Sequence, residues 1–231
     1  IDAEEWNPAT DPLLPAHFEA GDMDGKLENK RALLKEAGLN TSTTKPLLGA
    51  VSRLVDQKGF QLLIPVLEHL LAAGGQAVIL GSGETEMEEG LKRIAARNPE
   101  NCRVWIGFDN ALAHRIYGGA DMLLMPSIYE PCGLNQMYGL GYGTVPVVRQ
   151  TGGLVDTVIP FDGTNVESAN GFGFYAPNPF ELYMSTWISM LSFKDPLVWK
   201  LLQSNGMACD FSWERSARAY DEVYRWAAGR R

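Results

Sequence analysis

Leu47-Leu48-Gly49-Ala50-Val51-Ser52-Arg53-Leu54-Val55-Asp56-Gln57-Lys58-Gly59-Phe60 passes from an apolar run through a polar loop into a helix. Leu47–Val51 is short, continuous and apolar, as a strand buried on both faces requires. Phe60, Leu63, Ile64, Leu67, Leu70 and Leu71 then recur at three and four residues, which is one apolar face of a helix. Pro65 lies inside that helix and is expected to kink it, and Gly74-Gly75 ends it. The unit repeats: strand Ala77–Leu80, turn Gly81-Ser82-Gly83, a helix to Arg97, strand Cys102–Ile106, helix Ala111–Tyr117, strand Met122–Met125, helix Gly133–Tyr142, strand Val145–Val148 and a sixth strand at Phe172–Tyr175. Apolar strands alternating with helices imply an α/β fold, a parallel sheet with helices on both faces.

Outward from this unit the rhythm changes. Residues 1–25 carry three prolines and little periodicity, and read as an interdomain linker or an irregular cap. A helix is expected over Lys26–Ala37, closed by Gly38. The last third is helical: Pro179–Ser192, Pro196–Cys209 and Trp213–Ala227, with Ser212 as a cap for the last. The domain proper is therefore placed at 26–212 and a terminal helix at 213–231. The opening Ile1-Asp2 has no initiator Met, and the chain is read as processed or cut from something longer.

Composition narrows the function classes. The 231 residues are 45% apolar and 21% charged, enough to close a globular core. A net charge of -8 argues against a nucleic-acid or anionic-membrane binder, both of which need a basic surface. It leaves room for one anionic small molecule held by a few local cations. No apolar run reaches the roughly 18–20 residues of a membrane span. Cys102, Cys132 and Cys209 make neither a disulfide framework nor a metal-ligand pattern, so a reducing compartment is expected.

Ligands of parallel sheets sit at the strands' carboxyl ends. After the first strand, Arg53 and Lys58 flank a loop leading into a helix N-terminus, an arrangement that suits a pyrophosphate; the alternative is a solvated loop. After the second, Gly81-Ser82-Gly83 lets a backbone approach a ligand or simply makes a tight turn. After the third, Phe108 can stack on a base or merely pack, and His114 in the next helix reads as structural. After the fourth, Pro126-Ser127-Ile128-Tyr129-Glu130-Pro131-Cys132-Gly133-Leu134 sets one carboxylate beside the amides of Cys132, Gly133 and Leu134, a pairing that can hold sugar hydroxyls and a phosphate together. After the fifth, Gly152-Gly153 in Arg149-Gln150-Thr151-Gly152-Gly153-Leu154 makes a phosphate-sized cradle or a plain turn.

Ser-Arg-Leu…Gln-Lys-Gly, Leu-Gly-Ser-Gly, Ile-Gly-Phe, Pro-Ser…Glu-Pro-Cys-Gly-Leu and Arg-Gln-Thr-Gly-Gly-Leu, in this order and spacing, resemble the C-terminal domain of bacterial glycogen synthases and plant starch synthases. The likeness spans essentially the whole chain, from the opening Trp-Asn-Pro-Ala-Thr-Asp to the closing Asp210-Phe211-Ser212-Trp213. It implies one Rossmann-like half of a two-Rossmann-domain (GT-B) glycosyltransferase. Such an enzyme moves glucose from ADP-glucose to the non-reducing end of an α-1,4-glucan with retention.

Residue by residue, the resemblance assigns Arg53 and Lys58 to the pyrophosphate and Glu130 to the active-site glutamate. It places Cys132, Gly133 and Leu134 with their backbone toward the donor sugar or phosphate, Asn135 near the distal phosphate, Phe108 beside the adenine and Gln57 where sugar approaches. Gly81 and Ser82 complete the nucleotide-sugar set. Related retaining transferases place a ribose-binding Glu eight residues after the first; Tyr138 stands there, as expected for glycogen and starch synthases, which also lack it. The resemblance implies no metal and no cofactor besides the donor. It also implies a missing N-terminal domain, against which the terminal helix should pack, and a bacterial cytoplasmic or plant plastid location. The alternatives are a UDP-glucose enzyme and a non-catalytic nucleotide- or glucan-binding module.

Overall fold

The computed structural model describes residues 1–229; positions 230 and 231, the end of the segment expected to form the terminal helix, lie outside the described residues. Six parallel strands, β1 (Leu47–Val51), β2 (Gln76–Gly81), β3 (Cys102–Ile106), β4 (Met122–Met125), β5 (Val145–Arg149) and β6 (Phe172–Phe174), lie in the order β3-β2-β1-β4-β5-β6. Each strand pairs in parallel with its neighbour, as Leu48↔Ala77 and Leu48↔Met122 show on the two sides of β1. The sheet is thus Rossmann-like and wound both ways from its middle, and β1 and β4 are the neighbours at which the winding reverses. Loops diverge there and leave a crevice at the carboxyl edge.

The continuous apolar strands are explained by burial on both faces. Leu48, Ala50, Ala77, Ile79, Leu124 and Val147 point into a core with α2 (Phe60–Ala72), α3 (Thr85–Arg97), α7 (Pro179–Ser192) and α8 (Pro196–Met207). Their neighbours Leu47, Val78, Leu80, Leu123 and Val148 point into a second core with α1 (Asp24–Ala37) and α4 (Asn110–Gly119). Side chains of period two therefore fill both layers. Helix α2 is assigned without a break across Pro65. Gly38 closes α1 in the left-handed conformation, with its amide on the Lys35 carbonyl, and Ser212 caps α9 (Trp213–Ala227) by accepting from the Arg215 amide. Two short helices, α5 (Asn135–Gly141) and α6 (Gly153–Thr157), follow β4 and β5.

Residues 1–25 form no helix before Asp24 but are built into the α4–α5 face. Leu14 and Phe18 are buried, and the Trp6 ring is sandwiched between His114 at 3.9 Å and Tyr138 at 3.7 Å. Asp11 accepts a hydrogen bond from Tyr142 Oη at 2.6 Å and lies 2.7 Å from His114 Nδ1, which gives that histidine its structural place. By contrast, α9 buries none of its residues, and Trp213, Tyr220, Val223, Tyr224 and Trp226 are all exposed.

Candidate functional site

The loop after β1 and the loop after β4 meet where the winding reverses. A 3₁₀ turn at Asp56–Lys58 ends in Gly59, whose φ is 77°. A Cβ there would lie 1.9 Å from the Pro126 carbonyl, so only glycine lets the turn press against the end of β4. That approach brings Lys58 Nζ within 2.5 Å of Glu130 Oε2, which also accepts from Ser127 Oγ at 3.1 Å. The pair is unevenly covered: the Lys58 side chain is 20% exposed and that of Glu130 7%. The turn is braced as well by the Ile128 amide on the Gln57 carbonyl (2.9 Å) and by Gln57 Nε2 on the Tyr129 carbonyl (3.2 Å).

Glu130 is fixed from behind by the loop after β5. Gly152, at φ 51°, packs so closely that a Cβ would lie 2.0 Å from the Glu130 carbonyl, which accepts the Gly153 amide at 3.1 Å. The two glycines expected as a possible phosphate cradle are thus the plain-turn alternative: they support the glutamate's backbone. Arg149 adds a clamp that sequence reasoning did not single out. Its Nε donates to the Ser127 carbonyl at 3.0 Å, Nη2 to that of Ile128, and Nη1 to that of Tyr175 at 3.2 Å. The only sequence signal for it was an arginine at a strand's carboxyl end.

Beside the pair the edge opens into a cleft of ≈ 290 Å³ that Arg53, Lys58, Gly81, Ser82, Phe108 and Asn135 help to line. Arg53 is exposed and touches Gln57 Oε1 only at 3.4 Å, so its charge faces the cleft. Phe108 is 92% exposed, carried outward after Gly107. The space above Gly81 is already filled by the Ser52 carbonyl, 2.0 Å from where its Cβ would be; this glycine serves the close approach of two protein loops. Asn135 is tied down by its Nδ2 on the Val51 carbonyl at 2.5 Å.

A smaller pocket of ≈ 50 Å³ adjoins the cleft, lined by Lys58, Ser127, Glu130, Gly133, Leu134 and Asn135 among others. Among the described residues, the amides of Cys132, Gly133 and Leu134 have no hydrogen-bond acceptor. Two of these, on Gly133 and Leu134, line the small pocket with Lys58 and are suited to an anion or to sugar oxygens. Cys132 is exposed and lines a separate groove with Trp213 and Phe211, and Gln57 acts as a brace; neither borders the cleft or the small pocket. Among the described residues, no group of three or more His, Cys, Asp or Glu is placed to hold a metal ion.

Two anion-seeking groups, an exposed aromatic ring and a buried carboxylate thus share the switch point of a parallel sheet. Residues 34–182 match the family model for glycosyl transferases group 1. The chain belongs to that family. Curated relatives within it include a glycogen synthase of Anaeromyxobacter dehalogenans, 50% identical over 99% of this chain and 47% of its own length. Another, from Dechloromonas aromatica, is 46% identical over 100% of this chain and 48% of its own. Among solved structures, the catalytic domain of starch synthase IV from Arabidopsis thaliana, bound to ADP and acarbose, superposes with a TM-score of 0.92 at 38% identity, covering 100% of this chain and 48% of that one. The chain therefore spans about half the length of the curated relatives it matches. These likenesses bear out the glycogen and starch synthase resemblance and the GT-B type of fold.

Proposed function

We propose that the chain is the donor-binding half of a glucosyltransferase that moves glucose from ADP-glucose to an α-1,4-glucan with retention. The observation that carries this reading is the meeting of Lys58 and Glu130 at the crevice between β1 and β4, with Arg53 and Phe108 open to the same cleft. In this reading the adenine lies against Phe108 and the pyrophosphate against Arg53, Lys58 and the amides of Gly133 and Leu134. Lys58 exchanges its contact with Glu130 for the incoming phosphates, which frees the carboxylate to face the sugar. As the glycosidic bond to ADP breaks, negative charge grows on the leaving phosphate and positive charge on the anomeric carbon. Preorganised cations and a preorganised carboxylate stabilise the two, with about 2–4 kcal/mol lost for one such contact removed. No metal and no further cofactor is required by this scheme.

Transfer also needs an acceptor held in a water-poor cleft. This chain supplies one wall, so by itself it is proposed to bind donor without sustaining normal elongation. The exposed aromatic face of α9 is proposed to pack on the missing half. The curated relatives are bacterial, which favours the cytoplasm over a plastid.

Isothermal titration calorimetry of the purified chain tests the reading. ADP is expected to bind, and to compete better than UDP. Replacing both cations (Arg53→Ala with Lys58→Ala) should weaken ADP by at least about tenfold, since charge-assisted contacts are worth ~1.5–3 kcal/mol each. Unchanged affinity in a folded double variant would rule the cleft out as the pyrophosphate site, and preference for UDP would favour the UDP-glucose alternative.

A further inference from the structure

The two walls of the donor cleft are carried by different helices. Phe108, the exposed ring, stands two residues before α4, which Asp109 caps by accepting the Leu112 amide at 2.9 Å. Gly133, Leu134 and Asn135 line the small pocket and lead into α5. The distance from the wall for the base to the wall for the phosphates is therefore set by how α4 and α5 sit against each other.

One ring from outside both helices lies between them. His114 is about one turn into α4, and Tyr138 about one turn into α5. The Trp6 ring is stacked on both, with centroids 3.9 Å from His114 and 3.7 Å from Tyr138, each at an interplanar angle of 16°. A packed side chain adds stability anywhere, but a ring held face to face on both sides also fixes a spacing, because aromatic faces cannot approach closer than van der Waals contact. The same segment grips both helices a second time. Asp11 Oδ2 accepts from Tyr142 Oη, just past α5, at 2.6 Å and lies 2.7 Å from His114 Nδ1 on α4. Its other oxygen accepts the Leu13 amide at 2.8 Å, which holds the carboxylate in place. Trp6 and Asp11 border neither the cleft nor the small pocket, so their effect on a ligand passes through the two helices.

We infer that Trp6, clamped by Asp11, is a positioning residue for the donor: its ring spaces α4 and α5 so that Phe108 and residues 133–135 fit the two ends of one nucleotide at once. The inference rests on the cleft being the nucleotide site, and it gives the segment before α1 a part in binding. Calorimetry of the purified chain with ADP, together with displacement of ADP by inorganic pyrophosphate, tests it. ADP spans both walls and pyrophosphate meets one. Trp6→Ala should weaken ADP about tenfold, the loss of one base stack, and leave pyrophosphate within about twofold. Trp6→Phe, which keeps a flat ring, should restore ADP to within about threefold of wild type. Lys30→Ala, destabilised at the other end of the sheet, should leave both ligands unchanged and so separates spacing from loss of stability. Where Trp6→Ala fails to fold, Tyr138→Leu removes one face of the stack and should show the same split, with ADP about fivefold weaker and pyrophosphate unchanged. Unchanged ADP affinity in the folded variant, or an equal loss of both ligands, would overturn the inference and make the ring plain packing. A wild-type chain that binds no ADP, or whose ADP pyrophosphate cannot displace, would sink the nucleotide reading and this inference with it, a failure seen before any variant is made.

Discussion

At the amino end of the sheet Lys26, Lys30 and Asp121 are buried and saturated, while at the carboxyl end Arg53 is exposed and Lys58 has Glu130 for a partner in a half-open pocket. Lys26 Nζ donates to the carbonyls of Tyr117, Gly118 and Tyr142 and to Thr144 Oγ1. Burial pushes its pKa down to about 7, and those four oxygens support the protonated form. Lys30 Nζ lies 2.6 Å from Asp121 Oδ2 and also donates to the Thr43 and Lys45 carbonyls; Asp121 in turn accepts the Leu47 amide at 2.7 Å. Burial pushes the Asp121 carboxyl up, against the pull of Lys30. Both ends thus hold lysine–carboxylate pairs at about hydrogen-bond length. The difference is in what remains: the amino end has used its donors to tie α1 to β1 and β4, and the carboxyl end keeps an exposed arginine with one long contact and the amides of Gly133 and Leu134.

The sharpest way to break the comparison is to remove one partner of the buried pair. Lys30→Ala strands Asp121 in the core, and an uncompensated buried charge costs ~3–5 kcal/mol. Urea unfolding should show a loss of that order. ADP affinity of the protein that remains folded should be unchanged, because Lys30 lies at the opposite edge from the cleft. A loss below about 1 kcal/mol would mean that the amino-end pair is no more structural than a surface one.

The matching change at the carboxyl end should invert the outcome. In a protein carrying both halves, Glu130→Ala is expected to lower glucosyl transfer by a factor of at least about a hundred, since ~2–4 kcal/mol of transition-state stabilisation is removed. Because Glu130 occupies Lys58 in the free site, its removal should leave ADP binding unchanged or tighten it. Near-normal transfer, or a marked loss of ADP affinity, would count against assigning the carboxylate to the sugar and the lysine to the phosphates.

The sheet was legible in the sequence because period is a local property. Five strands and the helices between them follow from apolar runs and three-four spacing, and the reversal at β1 and β4 follows only once their order is known. Candidate residues were legible where they stand at strand ends: Arg53, Lys58, Phe108, Glu130 and Asn135 line two adjoining openings at the carboxyl edge. What the sequence hid was pairing across distance. The helix was expected from Lys26, but nothing local says that Thr144 and Asp121 lie opposite Lys26 and Lys30. Likewise, the prolines of residues 1–25 suggested a linker or cap and gave no sign that Trp6 would seat itself between His114 and Tyr138. The role of Arg149 was hidden for the same reason: its three acceptors are backbone carbonyls, which carry no residue signature.

The same contrast has a smaller, thiol-based form. Cys102 opens β3 at the amino end and is buried, and burial pushes its pKa up to about 12; Cys132 is exposed on the turn after Glu130. The thiolate is the form that reacts with iodoacetate. Native protein at pH 8 should therefore be carboxymethylated at Cys132 while Cys102 stays unmodified until the chain is unfolded, as peptide mapping by mass spectrometry would read. The new carboxylate stands in the groove lined by Phe211 and Trp213, apart from the cleft, and should leave ADP affinity within about twofold without unfolding the protein. Cys102 also leaves a signature in stability. Its folded pKa lies above the unfolded value of 9.0, so the folded state binds more protons between roughly pH 9 and 12. Stability contributed by this group is complete below pH 9 and falls as pH rises above it. Cys102→Ala should flatten that fall relative to wild type, whereas Cys132→Ala should leave it in place. Reversed labelling, or an identical alkaline slope in both variants, would show that the two ends do not differ in the way their thiols suggest.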